Sequence, residues 1–144
     1  MLLIDTDIAI GIIHGKIDVK KFQLLALEKG DQIGIASPSM YELYYGLYLV
    51  EMRKQGRIKK EEISREREAI ERLRQVFIQI PFNDVAAEKS AKIYHDLANK
   101  GQEIDEFDCM IAGTVLSIPG GAFLTGNVDH FSRIEGFPFI AYEP

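Results

Sequence analysis

The alternation of short apolar runs with longer segments of helical periodicity constrains the fold of this chain more than any other feature of its sequence. Runs that stop at Gly, Pro, Asp or Asn, as strands do, occupy residues 2–4, 33–36, 76–81, 121–124 and 137–142. Between them, apolar residues recur at helical spacing in residues 8–13, 19–27, 39–55, 63–74, 84–100 and 105–117. Short strands that alternate with helices form parallel sheets, so the sequence predicts an α/β fold. Ligands of such folds bind at the carboxyl ends of the strands.

Length and composition fit one domain. The 144 residues are 47% hydrophobic, which is enough for a core. No stretch approaches the ~20 apolar residues that span a bilayer, and the first residues lack the pattern of a signal peptide. The single cysteine, Cys109, cannot form an internal disulfide. We therefore predict one domain over residues 1–144 in a reducing cytoplasm.

The charge is distributed unevenly along the chain. Residues 53–74 hold nine Lys and Arg against five Glu, a balance of +4, whereas the net charge of the whole chain is −5. This charged helical segment can be a cationic arm that meets phosphate. It can equally be a solvated helix with ion pairs such as Glu61–Arg65 and Glu68–Arg72.

Carboxylates follow the first two predicted strands. Asp5 comes directly after the first strand and can cap the next helix, but Asp7 is available for that cap, which favours a functional role for Asp5. Glu42 lies near the start of the helix after the second strand. There it either completes a capping box with Ser39 or, if Ser37 is the cap, projects over the sheet edge.

More polar residues come later in the chain. Asp105 and Asp108 are spaced to share one face at the start of an apolar helix, where Asp105 is the better cap. Asp108 lies among apolar neighbours and needs a partner, for which a cation is suitable. The stretch from Thr125 to Asp129, which includes Asn127, follows the fourth strand and is either a polar turn or part of a site.

Carboxylates without a matching His or Cys set are typical ligands of a hard cation, Mg²⁺ or Mn²⁺. Such an ion can bind a phosphate, activate a water and stabilise a leaving oxygen. The three His residues and Cys109 lack the spacing of a zinc site. The chain also contains neither of the common glycine-rich nucleotide-binding motifs.

The order of these motifs resembles the PIN-domain family, and most closely the VapC toxins of toxin–antitoxin pairs, over essentially the whole chain. The resemblance is carried by Met1-Leu2-Leu3-Ile4-Asp5-Thr6-Asp7, Glu42-Leu43-x-x-Gly46, Asp108-x-x-Ile111-Ala112, Thr125-Gly126-Asn127, Phe131 and Ile134-x-Gly136-Phe137. It implies a three-layer α/β/α sandwich with a short parallel sheet. It also implies a Mg²⁺- or Mn²⁺-dependent endoribonuclease that forms a homodimer or higher even oligomer. A small antitoxin protein would insert a segment at the active site.

The resemblance also implies a role for each polar residue. Asp5, Glu42 and Asp108 match the acids that hold the metal, and Asn127 matches a fourth position that is Asp in many relatives, so one ion or two remain open. A metal-activated water would attack an RNA phosphodiester in line, with Glu42 as a ligand or orienting the water and Asn127 positioning water or phosphate. The candidate supporting residues are Thr6, Asp105, Thr125 and Asp129.

Two alternatives and one further surface complete the predictions. The chain can be a non-catalytic PIN module that binds protein or RNA. Alternatively, Asp5-Thr6-Asp7 can be the nucleophile motif of a haloacid-dehalogenase-type phosphatase, although Lys100 is poorly placed for it. The tyrosines and apolar residues of the helix that begins near Tyr41 can pack on an antitoxin or a second protomer. Tyrosines at helical spacing are more often packing groups than base-stacking groups. The basic residues that follow, up to Arg74, can guide RNA.

Overall fold

A five-stranded parallel sheet with helices on both faces forms the protein. The computed structural model describes residues 1–30, 32–53 and 57–144, with the backbone alone for residues 57–59. The strands are β1 (Leu2–Ile4), β2 (Ile33–Ala36), β3 (Ile78–Ile80), β4 (Ala122–Thr125) and β5 (Phe139–Ala141). The helices are α1 (Thr6–Ile13), α2 (Gln23–Glu28), α3 (Ser37–Arg53), α4 (Arg57–Val76), α5 (Asp84–Asn99), α6 (Glu106–Leu116) and α7 (Val128–Phe131), and a 3₁₀ turn at Val19–Phe22 precedes α2.

The strand order β3-β2-β1-β4-β5 places β1 at the centre of the sheet. Ile4 of β1 pairs with Ile35 of β2 on one side and with Leu124 of β4 on the other. The strands β2 and β3 therefore lie on one side of β1, and β4 and β5 lie on the other. This reversal of strand order opens a crevice at the carboxyl ends of β1 and β4. Asp5 and Thr125 are consequently neighbours at this edge.

Each face of the sheet covers its own apolar core, because successive side chains of a strand point to opposite faces. Leu2 and Ile4 belong to the core beneath α1, α3 and α4, whereas Leu3 belongs to the core beneath α5, α6 and α7. The two cores make the three-layer α/β/α sandwich that the sequence predicts. Within the described residues, no helix has both the length and the apolar character to cross a membrane.

The predicted elements match the structure in most of the chain. Strands β1 and β2 have the predicted bounds, and Gly101, with a φ of 66°, ends α5 as predicted. The predicted third strand is too long, because α4 continues to Val76 before β3 begins. The short helix α7 was not predicted, and the predicted end of α3 near residue 55 lies outside the described residues.

Some charged side chains of helix α4 contact other side chains of the protein. Arg74 contacts Glu71 at 3.3 Å and the Tyr44 hydroxyl at 3.3 Å, and the Arg67 guanidinium lies 5.6 Å from the centre of the Tyr48 ring. The contacts with Tyr44 and Tyr48 join α4 to α3, while Ile70 and Leu73 bury the apolar side of α4. The helix is therefore both a solvated surface and a structural support for α3.

The close packing of α5 on α6 leads to a stability prediction. A Cβ at Gly113 would lie 1.9 Å from the Ser90 hydroxyl and 2.6 Å from the Ala86 carbonyl oxygen, and the latter belongs to the backbone and cannot rotate away. We expect Gly113→Ala to lower the free energy of unfolding by about 1–3 kcal/mol. The matched control is Gly46→Ala in α3, where a Cβ meets nothing within 4 Å. This control substitution should raise the free energy of unfolding by about 0.5–1 kcal/mol. Denaturant unfolding measures both variants, and a Gly113→Ala protein as stable as wild type would contradict this packing.

Candidate functional site

Asp5 lies at the carboxyl end of β1 and is buried, with 4% of its surface exposed. One carboxylate oxygen accepts from the Thr6 amide at 2.7 Å, so Asp5 is itself the cap of α1. The other oxygen accepts from the Thr125 hydroxyl at 2.6 Å. The expectation that Asp7 caps α1 and leaves Asp5 free is therefore wrong, because the extended backbone of Asp5 places its own carboxylate over the first turn.

Asp7 connects α1 to the loop after β4. Its Oδ1 accepts from the Ile8 amide at 2.7 Å, and its Oδ2 accepts from the Gly126 amide at 3.0 Å. A Cβ at residue 126 would lie 2.6 Å from Asp7 Oδ2, so glycine permits this close approach. Asp7 was not among the predicted site residues, although its position two residues after Asp5 could have suggested it.

Glu42 projects across the crevice toward α1. Its Oε1 accepts from the Thr6 hydroxyl at 2.7 Å. Helix α3 begins at Ser37, with Pro38 in its first turn, and the Ser39 hydroxyl has no hydrogen-bond partner among the described residues. The structure therefore has no capping box at Ser39 and directs Glu42 toward the sheet edge, as the second alternative predicts, but Ser37 is the first residue of the helix and not its cap.

Asp108 comes from the first turn of α6 and is 15% exposed. Its Oδ2 lies 2.6 Å from Nδ1 of His130, and that nitrogen lies 3.0 Å from the Asn127 side-chain nitrogen. One ring nitrogen cannot donate to Asp108 and accept from Asn127 together, and the shorter distance favours donation to Asp108. Asn127 also donates its backbone amide to the Thr125 hydroxyl at 2.9 Å.

The two other predicted acids have different positions. Asp105 caps α6 by accepting from the Phe107 amide at 2.8 Å, and it lines the same cavity as Glu42 and Asp108. The side chain of Asp129 is 78% exposed and pairs with Arg133 at 3.0 Å. The structure therefore does not bring Asp129 to the other acids, because one turn of α7 directs it toward Arg133.

The acids of this crevice raise one another's pKa. Burial, opposed by the Thr125 hydrogen bond and reinforced by Asp7 and Asp108, raises the pKa of Asp5 to about 7. Burial is also the main cause that raises the pKa of Glu42, with Thr6 opposing it and Asp108 reinforcing it. The pKa of Asp108 is raised by burial and held back by His130. Loss of hydration raises the pKa of Asp7 as well.

No Lys or Arg forms an ion pair with Asp5, Asp7, Glu42, Asp105 or Asp108 in the part of the chain that the structure describes. Clustered carboxylates without cationic partners destabilise a fold, because each loses hydration and repels the others. Raised pKa values such as those of Asp5, Asp7, Glu42 and Asp108 are typical of functional sites, and the exposed Asp105 lies beside them. We call the five residues the acid cluster.

The chemistry of the acid cluster fits a hard divalent cation, since carboxylate oxygens are the ligands that Mg²⁺ and Mn²⁺ prefer. Among the described residues, however, no three His, Cys, Asp or Glu side chains are placed so that together they could bind one metal ion. Glu42 and Asp108 hydrogen-bond Thr6 and His130 instead. Side-chain rotation at these two residues is therefore needed before both can reach one ion with Asp5.

The sequence profile of the PIN domain matches residues 2–136. The chain belongs to the PIN-domain family. A comparison with curated protein sequences finds no matching relative. Membership in this family removes the haloacid-dehalogenase alternative, and Lys100, which that chemistry would need, lines a different cavity with Lys89 and Arg133.

Several solved structures are similar to this PIN domain. A chain of the VapBC2 complex of Rickettsia felis, bound to promoter DNA, has a TM-score of 0.79 and 20% identity, with 99% of this chain and 98% of that chain covered. A chain of the DNA-bound VapBC complex of Salmonella typhimurium has a TM-score of 0.78 and 24% identity, with 97% and 96% covered. A chain of VapBC-5 of Mycobacterium tuberculosis has a TM-score of 0.68 and 17% identity, with 97% of each chain covered. These identities establish the fold of the PIN domain, and the predicted sandwich is confirmed.

His130 and Phe107 were not predicted to lie beside the acids of this PIN domain, and Tyr41 was predicted only as part of a helix face that can pack on a partner. His130 was set aside because no histidine has zinc-ligand spacing, although it lies three residues after Asn127 at the strand edge. Tyr41 and Phe107 stack at 5.1 Å between ring centres with planes 11° apart, beside Glu42 and Asp108. Their contact depends on how α3 meets α6, for which the sequence contains no signal.

Proposed function

We propose that this PIN domain is a VapC-type toxin, an endoribonuclease that hydrolyses RNA phosphodiesters with Mg²⁺ or Mn²⁺. The observation that carries the proposal is the acid cluster, in which buried Asp5 has a pKa of about 7 at the crevice of a parallel sheet. Two of these carboxylates, Asp5 and Asp105, cap helices. A cap does not require further acids beside it, and the repulsion between neighbouring carboxylates weakens the fold. The non-catalytic alternative leaves this arrangement unexplained.

The side chains around the crevice have separate tasks in the proposed reaction. Asp5 and Asp108 hold the cation directly, while Glu42 either binds it or orients the attacking water. Thr125 fixes the rotamer of Asp5 through a hydrogen bond of 2.6 Å, and Thr6 holds Glu42 at 2.7 Å before an ion binds. Asn127 positions a water or a phosphate oxygen. A divalent cation held there supplies the positive charge that offsets the phosphate and lowers the pKa of the attacking water.

A protein partner is part of the same proposal. The similar structures are described as VapBC complexes, and we infer a small antitoxin partner, a homodimer or higher even oligomer, and a cytoplasmic location for this chain. Exposed apolar side chains that such a partner can cover include the neighbouring pair Leu24 and Leu27 on α2 and Met52 on α3. Leu47, which the sequence offered for partner packing, is 1% exposed and belongs to the core instead.

Metal binding tests the proposal independently of any RNA. Protons compete with the cation for Asp5, so we expect Mg²⁺ or Mn²⁺ to raise the melting temperature strongly at pH 8 and weakly at pH 5.5, where Asp5 is protonated. The stabilisation reaches about 2.7 kcal/mol when the free ion is at a hundredfold of its Kd. Asp5→Asn should lose most of this shift, and Asp129→Asn, outside the cluster, should keep it.

Thermal melts with Mg²⁺, Mn²⁺ or EDTA at the two pH values measure this effect. A shift of the same size in wild type and Asp5→Asn, or a larger shift at pH 5.5 than at pH 8, would contradict the assignment of Asp5 as a ligand. The activity expected beside this binding is RNA cleavage that EDTA stops.

A further inference from the structure

Three aromatic rings form a stacked column beside the acid cluster. Tyr41 stacks on Phe107 of α6 with ring centres 5.1 Å apart, and Tyr45 stacks on Tyr41 at 6.0 Å with planes 18° apart. Tyr41 and Tyr45 lie one helical turn apart on α3, so the helix itself sets the spacing of two of the rings. We call Tyr41, Tyr45 and Phe107 the aromatic column.

The aromatic column is open to a ligand. Tyr41 is 55% exposed and Tyr45 is 54% exposed, so much of both rings is uncovered. Both rings combine a packed contact with an exposed part, so the preference of such tyrosines for packing over base stacking stays a prediction. Nearly parallel planes at both contacts leave a ring face on which another flat ring can extend the stack.

The aromatic column and three carboxylates of the acid cluster line one cavity of about 620 Å³. The three carboxylates are those of Glu42, Asp105 and Asp108. This volume is in the usual range of ligand pockets. An apolar protein segment placed there would bury the three carboxylates without partners, which is unfavourable. A nucleotide differs, because its phosphate reaches the carboxylates together with a cation while its base offers a flat ring.

We propose that the aromatic column is a nucleobase-stacking subsite, which holds an unpaired base of the RNA next to the phosphate at the acid cluster. This inference rests on the proposed ribonuclease function and adds a positioning group to it. Stacking accepts every base, because each base has a π face. The subsite therefore demands an unpaired nucleotide at a fixed place and contributes little sequence preference of its own.

The test uses a short single-stranded RNA in which 2-aminopurine replaces one base at a time, bound to the full wild-type chain with Ca²⁺ in place of Mg²⁺ so that a cation is present while cleavage is suppressed. Stacking quenches the emission of 2-aminopurine, and we expect quenching at one or two adjacent positions. Tyr45→Ala should remove the quenching and raise the Kd by about 5- to 150-fold. Tyr45→Phe retains the ring and should restore both readouts.

Tyr48→Ala is the matched control, because Tyr48 lies on the same helix, is 49% exposed and is not part of the cavity lining. It should leave quenching and affinity unchanged. The inference is wrong if no position is quenched, if Tyr45→Ala binds as tightly as its parent, or if Tyr48→Ala loses as much affinity. Unchanged RNA binding with a lower oligomer mass in Tyr45→Ala would assign the column to a contact between copies and also overturn it.

These outcomes are separate from failure of the proposed function. Tyrosine-dependent quenching in a protein that never cleaves RNA with Mg²⁺ or Mn²⁺ would retain the column as an RNA contact and refute the nuclease. Metal-dependent cleavage that is indifferent to Tyr45→Ala would retain the nuclease and refute the column.

Discussion

Asp5→Asn should remove RNA cleavage, with a loss on the order of 10³-fold. Asp5 is the carboxylate nearest the centre of the sheet edge, and its two oxygens are fixed by the Thr6 amide and the Thr125 hydroxyl. An amide of the same shape retains an oxygen for the Thr6 contact but has no negative charge for a cation. The measurement is the initial rate of cleavage of end-labelled RNA at saturating Mg²⁺.

The same variant should be more stable than wild type in metal-free buffer at pH 8. Because the pKa of Asp5 is raised from 3.8 to about 7, the folded state binds a proton more tightly than the unfolded chain does. Stability therefore falls as pH rises from about 4 to about 7, and the full cost is present above pH 7. Removing the charge should raise the free energy of unfolding by about 2–4 kcal/mol at pH 8, and by little at pH 4.

A loss of activity combined with a gain in stability distinguishes a functional carboxylate from a structural one. An Asp5→Asn protein that is inactive and also less stable at pH 8 would show that Asp5 serves the fold, and the loss of cleavage would then carry no information about metal. Full activity in a folded Asp5→Asn protein would refute the site.

Asp108→Asn should have the second largest effect, a loss of cleavage on the order of 10²–10³-fold. Asp108 is 15% exposed in the crevice and has His130 at 2.6 Å, whereas Asp129, four residues after β4, is 78% exposed and pairs with Arg133. Asp129→Asn is therefore the matched control and should cleave at the wild-type rate. It loses only a surface ion pair, worth at most about 1 kcal/mol of stability.

The two variants are compared on one RNA at the same Mg²⁺ concentrations. If Asp129→Asn loses as much activity as Asp108→Asn, then Asp129 belongs to the site after all and the position of α7 relative to the acids must differ from the one described. If neither loses activity, α6 contributes no ligand.

The fold could be predicted from the sequence because local signals and the global architecture agree. The apolar run of β1 stops at Asp5 and that of β2 stops at Ser37, so the bounds of both strands could be read directly. Parallel strands have their carboxyl ends at one edge, and this rule placed Asp5 and the Thr125 turn at the same edge without predicting which side chains would touch. Their hydrogen bond of 2.6 Å is the structural result.

The details of the site depend on tertiary geometry and could not be read from spacing. Asp5 and Asp7 are both good caps by residue type, and only the backbone angles at Asp5 decide which of them caps α1. The side of α7 that faces the crevice determines that His130 contacts Asp108 while Asp129 turns to Arg133. The aromatic column likewise exists because α3 crosses α6 near Phe107.

The acid cluster also predicts that stability and function oppose each other in this protein. Each carboxylate that would hold a cation repels the next one, so the fold without metal is weaker at the pH at which the site is best prepared for an ion. Natural proteins retain such unfavourable groups where activity needs them. Substitutions that stabilise the crevice should accordingly reduce cleavage, whereas Gly46→Ala, where a Cβ meets nothing, should leave cleavage unchanged.

The most direct test of the central claim is incubation of the wild-type chain with a structured RNA pool in Mg²⁺, in Mn²⁺ and in EDTA, with sequencing of the new RNA ends. The acid cluster predicts cuts at defined positions that depend on either metal, disappear in EDTA and are absent with Asp5→Asn. Cuts that persist in EDTA, or a well-folded protein that binds Mg²⁺ and leaves every RNA intact in both metals, would contradict the assignment of this PIN domain as a metal-dependent ribonuclease.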